Sequence, residues 1–546
     1  MGKRSSTSTL DRPDAADPAS RGQRVRGHLK GAVAGVIAAG VLFAVAEILS
    51  TFFKSVSSPL TSVGSTFIDF TPAWMKNFAI ATFGTNDKTV LLLSMMVAAV
   101  FLSALAGVVA RKKLLAGAAM VTAFAVVMAV CIITRSGANA AQLIPLLVGT
   151  LAGLWALRFL TTAATKRSAP STSPTGSSAG SAADAATAGQ ANRRTFLIRS
   201  AALVGVAVVL GAGAKALSTV RNTAQQVRDA LKLPAAKTKA AVLPAGVQST
   251  VTGVVPFVTP NANFYRIDTA LIVPQVDPTE WSLRVHGMVE NEITMSFDQL
   301  LAEDLTEAYV TLTCVSNVVG GNLVGNAKWL GFPIREVLAR AKPTAGADMV
   351  LSTSIDGFSA STPLPVLQDG RDAMLAVGMN GEPLPLNHGF PVRMVVPGLY
   401  GFVSATKWVV DLEVTTFAKK AGYWSTRGWS THGPIKTSSR VEVPSALARV
   451  PAGRVAIGGS AWAQQHGISK VEIQLDNGAW QPAELSAEAS VDTWRQWQFI
   501  WNGATAGSHN VRVRAYDTAG KLQIEQQAPP EPDGSTGWHS ITFTVV

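Results

Sequence analysis

The chain has 546 residues and a formal charge of +12, with 48% hydrophobic and only 15% charged residues. At ~100–200 residues per domain the length allows about three units, and the apolar excess, concentrated before residue 215, is more than a soluble enzyme carries. The basic residues flank apolar runs, as at Arg21, Arg24, Arg26 and Lys30, and lack the aromatic interleaving that stacks bases. This is a membrane-topology pattern and argues against a nucleic-acid partner.

A basic cytoplasmic tail is expected over residues 1–30, followed by four transmembrane helices within 31–163, at 31–53, 90–110, 114–134 and 143–162. Each is close to the ~20 residues that cross a bilayer. The basic tail, Arg111-Lys112-Lys113 and Lys166-Arg167 fall on one side if the amino terminus is cytoplasmic. The loop at 54–89 carries Phe67, Phe70, Trp74 and Phe78, which suits a short piece lying along the interface. Glu47 reads as a helix-packing or interfacial residue, with a proton or quinone contact as the second reading.

Residues 164–192 are Ser, Ala, Thr and Gly almost throughout and form a flexible cytoplasmic linker. Asn192-Arg193-Arg194-Thr195-Phe196-Leu197-Ile198-Arg199 then opens an apolar run, so that 193–216 resembles a twin-arginine export signal. The other reading makes Arg193 and Arg194 cytoplasmic anchors of a fifth transmembrane helix. Both leave residues after 216 outside a multi-pass plasma-membrane protein, facing the periplasm or cell exterior, with 217–249 as an external linker. Ala212-Gly213-Ala214-Lys215-Ala216 keeps cleavage open.

From residue 250 short apolar-polar alternations appear, at 281–287, 309–313 and 390–397, interrupted by helical pieces at 296–302 and 333–341. Residues 250–440 therefore read as one α+β domain. Residues 441–546 read as an all-β, immunoglobulin-like sandwich, with strands near 455–461, 470–475, 494–501, 509–516 and 541–546. Cys314 is one of two cysteines in the chain. A lone thiol is either a small buried hydrophobe or a soft metal ligand.

Five blocks, in order, carry a resemblance. They are Thr259-Pro260-Asn261-Ala262-Asn263-Phe264-Tyr265-Arg266, Thr311-Leu312-Thr313-Cys314, Gly325-Asn326-Ala327-Lys328-Trp329-Leu330-Gly331, Asn387-His388-Gly389-Phe390-Pro391-Val392-Arg393 and Ser404-Ala405-Thr406-Lys407-Trp408. Together they resemble the sulfite oxidase family of molybdopterin-dependent oxidoreductases over roughly the last half of the chain. The fold class that follows is an α-helical membrane module of about five spans, an α+β sulfite-oxidase-type molybdopterin domain and a C-terminal immunoglobulin-like sandwich. The resemblance implies one molybdenum–molybdopterin per chain, with Cys314 as the metal's protein ligand. It places Arg393 and Lys407 on the cofactor's phosphate, where a guanidinium fork and an ammonium suit the charge. It places His388 on the pterin, Ser404 and Thr406 beside the phosphate, and Asn263, Tyr265, Arg266 and Ser354 along the cleft. Taken singly, Arg393 would pair a carboxylate such as Asp411, and Tyr265 would be core.

The segment Tyr423-Trp424-Ser425-Thr426-Arg427-Gly428-Trp429 has Trp429 where sulfite oxidases place a tyrosine near the metal. Arg266, Arg427 and Lys436 are expected to make the pocket cationic. The expected catalytic set is Cys314, Arg266, Arg427 and Trp429, and the substrate a small S-oxide, N-oxide or oxyanion, with sulfite oxidation as the alternative. No Cys-x-x-Cys-His occurs and none of the seven histidines lies in a span, so no haem or iron–sulfur site is expected here. A separate redox partner or a quinone is implied, with membrane lipid around the spans and a homodimer through the C-terminal domain by family analogy. A different class stays open: a non-catalytic membrane-bound surface protein whose outer part binds a partner.

Overall fold

The computed structural model describes residues 18–53, 58–72, 87–135, 139–165, 194–195, 197–205 and 223–546, with residues 75, 78, 82–83 and 208. Trp74, Arg193, Phe196 and nearly all of the 164–192 linker lie outside the described residues, as does most of 206–222. The chain divides into two compact units, Met1–Val220 and Arg221–Val546.

The first unit is built from α1 (Pro18–Ser50), α2 (Pro59–Phe70), α3 (Asp87–Lys112), α4 (Leu114–Ile133) and α5 (Ile144–Thr165). Its four segments long and apolar enough to cross a membrane are Gly27–Ser50, Lys88–Lys112, Leu114–Ile133 and Ala140–Thr162. They match the expected spans with shifts of a few residues at their ends. Residues 194–195, 197–205 and 208 are helical, and the rest of the expected fifth span lies outside the described residues. A helix satisfies its own backbone in hydrocarbon, which leaves apolar side chains free to face outward: Phe101 is 70% and Leu151 67% exposed.

α1 packs against both α3 and α5. Its contact with α3 runs through backbone: a Cβ on Gly35 would lie 1.9 Å from the Ser103 carbonyl oxygen, and one on Gly107 2.1 Å from that of Gly31. Small residues spaced four apart give lipid-embedded helices this approach. Glu47 near the end of α1 accepts from the Ser58 hydroxyl at 2.9 Å and the Leu60 N–H at 3.3 Å. Its carboxylate thus caps the amino terminus of α2, the packing role among its two readings. Asp69 at the other end of α2 pairs with Arg135 at 2.9 Å. Held at both ends, α2 exposes Phe67 and Phe70.

The second unit opens with α6 (Thr223–Ala230) and contains one mixed sheet, one antiparallel sheet and a sandwich. In the mixed sheet β1 (Ser282–Gly287) and β2 (Ile293–Ser296) form a hairpin. Next come β3 (Thr306–Thr313) and β4 (Val324–Pro333), a second antiparallel pair. β5 (Met349–Ser354), β6 (Ser359–Pro363), β7 (Met374–Met379), β8 (Glu382–Pro383), β9 (Arg393–Val395) and β10 (Val409–Thr415) complete the set. They order as β2-β1-β10-β5-β6 and β3-β4-β7-β8, with β9 on β7. The short helices α7 (Phe297–Leu301), α8 (Ile334–Ala341) and α9 (Leu364–Gln368) interrupt them. α7 starts on a capping box in which Ser296 and Gln299 satisfy each other's backbone N–H groups.

The sandwich strands are β11 (Ser438–Val443), β12 (Arg449–Val450), β13 (Gly453–Trp462), β14 (Ile468–Leu475), β15 (Trp480–Pro482), β16 (Glu484–Leu485), β17 (Arg495–Ala504), β18 (Gly507–Asp517) and β19 (His539–Val545). They form sheets β11-β13-β17-β16 and β12-β19-β18-β14-β15. Alternate residues of both sheets, including Ile457, Val471, Trp497, Val513 and Phe543, meet in one fully buried core. The C-terminal region is all-β, as its alternation predicts.

Candidate active site

β3 ends at Thr313, and Cys314 follows in a tight loop. The Cys314 N–H donates to the Leu323 carbonyl at 2.9 Å, and Asn317 Oδ1 accepts from the Leu323 N–H at 2.9 Å, which closes the loop on itself. Cys314 is 8% exposed and in no disulfide. Burial pushes its thiol up, against weaker hydrogen bonding from Ser316. The buried site thus disfavours the thiolate.

Arg393 begins β9 and is 5% exposed. Its guanidinium donates to the carbonyls of His388 and Met394, both at 3.3 Å, and lies 5.1 Å from the centre of the Trp329 ring. Burial pushes it down to about 10, still cationic at neutral pH. Among the described residues it pairs with no carboxylate. Asp411, its alternative partner by sequence, is taken by His286 at 3.0 Å.

Lys407 donates to Asp268 at 2.6 Å, and Arg266 Nε reaches the same carboxylate oxygen at 2.8 Å. Burial pushes Lys407 down to about 8, with Asp268 acting the other way. The next residue, Trp408, has φ +50°, a left-handed turn that is strained for an aromatic side chain. Its indole N–H is anchored on the Leu386 carbonyl at 3.0 Å. Asp268 escaped the sequence analysis. Its only signal there is an acid two places after Arg266.

His388 closes a short 3₁₀ turn and is 2% exposed. Burial, then Arg393 and Lys407, push it down to about 3. The ring is therefore neutral, and the tautomer assigned from its hydrogen bond donates from Nε2 to the Asn261 carbonyl at 3.3 Å. Gly389 makes the turn's approach feasible. Its φ is +111°, and a Cβ there would lie 2.9 Å from Cβ of Arg393 and 3.1 Å from Cβ of Lys407.

Tyr265 is half-buried and stacks on Phe264 at 5.2 Å, which in turn meets Trp329 and His388 edge-on. Burial raises its phenol, with Cys314 acting the same way and Arg393 against it, so the ring belongs to their neighbourhood. Asn263 is exposed in the turn beside Asn261. Ser354, at the end of β5, accepts from the Asp356 N–H at 3.4 Å. Burial pushes Asp356 up, Asp268 adds to this, and Lys407 opposes it.

Other expected contributors are occupied internally. The Ser404 hydroxyl donates to the Tyr400 carbonyl at 3.0 Å, and Thr406 shares a 2.7 Å hydrogen bond with Ser352. The three cations expected to charge a substrate pocket all have partners. Arg266 is held by Asp268, Lys436 by Asp533 at 2.8 Å, and Arg427 lies 3.6 Å over the Tyr423 ring while donating to its carbonyl at 2.7 Å. Trp429 packs into the apolar core against Phe402 at 5.9 Å and Trp424 at 6.0 Å. The structure thus gathers Cys314, Tyr265, His388, Arg393, Lys407 and Arg266 around one region. Ser404, Thr406 and Trp429 support it from within the fold.

Residues 270–424 match the family described as oxidoreductase molybdopterin binding domain. The uncharacterized oxidoreductase YuiH of Bacillus subtilis (strain 168) is 30% identical over 34% of this chain and 91% of its own length. The chain belongs to the sulfite oxidase family of molybdopterin oxidoreductases. Mouse (Mus musculus) mitochondrial sulfite oxidase is 28% identical over 53% of this chain, which spans 62% of that relative's length. Sulfite oxidase of Arabidopsis thaliana is 26% identical over 53% of the chain and 88% of its own length. Among solved structures, the sulfane dehydrogenase SoxCD from Paracoccus pantotrophus is 20% identical with a TM-score of 0.48, covering 57% of this chain and 90% of that one. Within the family domain, the matched segment includes Cys314, Ser354, His388, Arg393 and Lys407, whereas Tyr265 and Arg266 precede it and Arg427 and Trp429 follow it.

Proposed function

We propose that this chain is a membrane-anchored molybdenum oxidoreductase that transfers an oxygen atom to or from a small S- or N-oxide at a Cys314-ligated metal. The observation that carries the reading is the pairing of an unbridged, buried thiol with a buried guanidinium that lacks a carboxylate partner among the described residues. Each fits what the family's cofactor would bring. A soft metal replaces the thiol proton and relieves the cost of a buried thiolate. A phosphate balances Arg393, whose fork suits it.

In this reading Cys314 holds the metal, and Arg393 with Lys407 holds the cofactor's phosphate. Neutral His388 donates one hydrogen bond, and Tyr265 with Asn263 lines the cleft. When bound, the molybdenum supplies two-electron oxygen transfer. The chain's own residues bind, orient and exclude water: Trp329 and Phe264 wall the cleft, and Asp268 fixes the Lys407 ammonium and the Arg266 guanidinium. Asp268 and Asp533 offset part of the charge of Arg266 and Lys436 while Arg427 keeps its own over the Tyr423 ring, and we take a dipolar oxide as the substrate on that reduced charge. Sulfite is the second reading, favoured by sequence kinship to sulfite oxidases.

The four apolar helices support attachment to a plasma membrane, with the amino terminus cytoplasmic and the catalytic unit outside. Arg193 and Arg194 would direct export of a folded, cofactor-loaded domain. Electrons pass to or from a separate protein or a quinone.

Metal analysis of the purified chain tests the core of this reading. About one molybdenum per chain is expected, lost in Cys314→Ser, with reduced-dye turnover of sulfoxides exceeding dye-linked sulfite oxidation. A metal-free, fully folded wild-type chain refutes it.

A further inference from the structure

The loop that carries Cys314 between β3 and β4 is tied to itself. Besides its Leu323 bonds, the Asn317 N–H donates to the Cys314 carbonyl at 3.1 Å and the Gly321 N–H to that of Val318 at 2.9 Å. Internal bonds set the loop's shape, but its position needs support from outside it. Three of its residues find that support in the sandwich. Ser535 donates to the Asn317 carbonyl at 2.6 Å. The His539 ring packs on Gly320, whose φ is +76° and where a Cβ would lie 2.2 Å from His539 Nε2. Arg440 Nη1 donates to the Gly321 carbonyl at 2.8 Å.

Arg440, in β11, is itself tightly fixed. Its side chain is 7% exposed and that of Glu442, 2.7 Å away, 8%. The Trp462 and Trp494 rings lie 5.9 and 5.7 Å from the guanidinium carbon. Glu442 in turn accepts from the Ser460 hydroxyl and the Val255 N–H, both at 2.9 Å. A buried ion pair contributes little net stability of its own. What this pair does provide is a planar fork held in one orientation, with Nη1 presented to the loop.

The strand that leads into the loop is held from the same side. β3 is an edge of its sheet. Beside Cys314 that edge is covered at Thr311, whose N–H donates to the Asp492 carbonyl at 2.9 Å. The Thr311 carbonyl accepts from Gln464 at 3.0 Å and its hydroxyl from the Trp494 N–H at 2.8 Å. An edge covered in this way cannot pair elsewhere or slip.

We infer that Arg440, with Ser535, is a positioning residue for Cys314: the sandwich sets where the sulfur stands. This rests on the metal ligation proposed above. Arg440, Ser535 and His539 all lie beyond residues 270–424, the segment matched to the cofactor-binding family. A site held ~1 Å too loosely loses its working geometry, and the outer partners of a metal ligand carry ~10–100-fold in metal affinity.

Full-length chain in detergent tests this with two readouts. In chain stripped of cofactor, maleimide labelling of Cys314, read on its own peptide, should be faster in Arg440→Met than in wild type, and faster to a lesser degree in Ser535→Ala. Molybdenum affinity, followed as metal retained on dilution, should fall ~10-fold in Arg440→Met, the low end for losing an outer partner. Ile457→Val, in the sandwich core, should lower Tm and change neither readout. A merely structural role for Arg440 would make its variant behave like Ile457→Val, and that result overturns the inference. If Arg440→Met does not fold, Ser535→Ala decides: labelling at the wild-type rate overturns the grip. Wild-type chain that folds without molybdenum overturns the metal reading and the positioning role with it, whereas the labelling difference is read without metal, so the two failures are told apart.

Discussion

Asp268→Asn removes one charge and little volume from the centre of the site. The carboxylate is 5% exposed and faces Lys407 at 2.6 Å and Arg266 at 2.8 Å. Removing one partner of a buried pair costs about 3–5 kcal/mol. The Arg266 side chain is 37% exposed, so its half is screened and discounted. The Lys407 half remains, and apo protein should lose ~3 kcal/mol, a fall in Tm of several degrees for a unit of this size. The cofactor-loaded protein should lose less, because a bound phosphate supplies the missing negative charge. The variant's Lys407, already pushed down to about 8, should drop further without Asp268, so cofactor retention should weaken at a lower pH than in wild type. Thermal melting of loaded and cofactor-stripped chain, with phosphorus and molybdenum analysis, measures all three. Equal loss of stability in both forms would show that no phosphate sits at Lys407. A stripped variant as stable as wild type would show that the pair carries no weight.

Gly389→Ala forces an L side chain to φ +111° and drives Cβ against both cation stems; a cost of ~2–3 kcal/mol and loss of bound cofactor are expected, read by melting and metal content. His388 is held neutral and pushed down to about 3, so its contribution is fully present above its unfolded value near 6.5. As pH falls through that window the unfolded state takes up the proton first, and stability should drop by ~1.4 kcal/mol per unit; His388→Gln should flatten the difference in an acid titration of Tm. In the first unit, Gly107→Leu places a branched side chain where a Cβ already lies 2.1 Å from the Gly31 carbonyl oxygen. The α1–α3 contact should open, and cysteines placed across it should cross-link less efficiently in the variant than in wild type.

The architecture was largely legible because its signals are local. Apolar runs near the spanning length gave the four helices, and the alternation in 455–461 and 470–475 gave β13 and β14 almost to their ends. Segment 390–397 shows the limit: only Arg393–Val395 forms a strand, because Pro391 lacks a ladder donor and Gly389 turns the chain just before it. Residue identities at the site were legible as a set of ordered blocks. Pairing was not. Asp268 comes to Lys407 across 139 residues of sequence, and nothing in either local pattern announces it. Ser404 and Thr406 have the right chemistry for a phosphate, yet the Ser404 hydroxyl is spent on the Tyr400 carbonyl within its own turn, and that of Thr406 on Ser352 of β5, a contact 54 residues away that no spacing announces.

Charge bookkeeping at the site narrows the chemistry further than residue types do. By sequence, Arg266, Arg427 and Lys436 make the pocket cationic, which suits an S-oxide, N-oxide or oxyanion, while Arg393 and Lys407 go to the cofactor's phosphate. The fold partners Arg266 and Lys407 with one carboxylate, Lys436 with another and Arg427 with an aromatic face. Arg393 pairs with no carboxylate among the described residues and is 5% exposed, over Trp329. A cofactor phosphate there would use that charge before any substrate arrives. In the proposed function the substrate would meet Tyr265 beside Cys314, where the positive charge that Arg266, Lys407, Arg393 and Arg427 leave against the Asp268 carboxylate is offset by the cofactor's phosphate. On that proposal the phosphate decides between the substrates: where it cancels the cations a dipolar S- or N-oxide is favoured, and where positive charge is left over sulfite is.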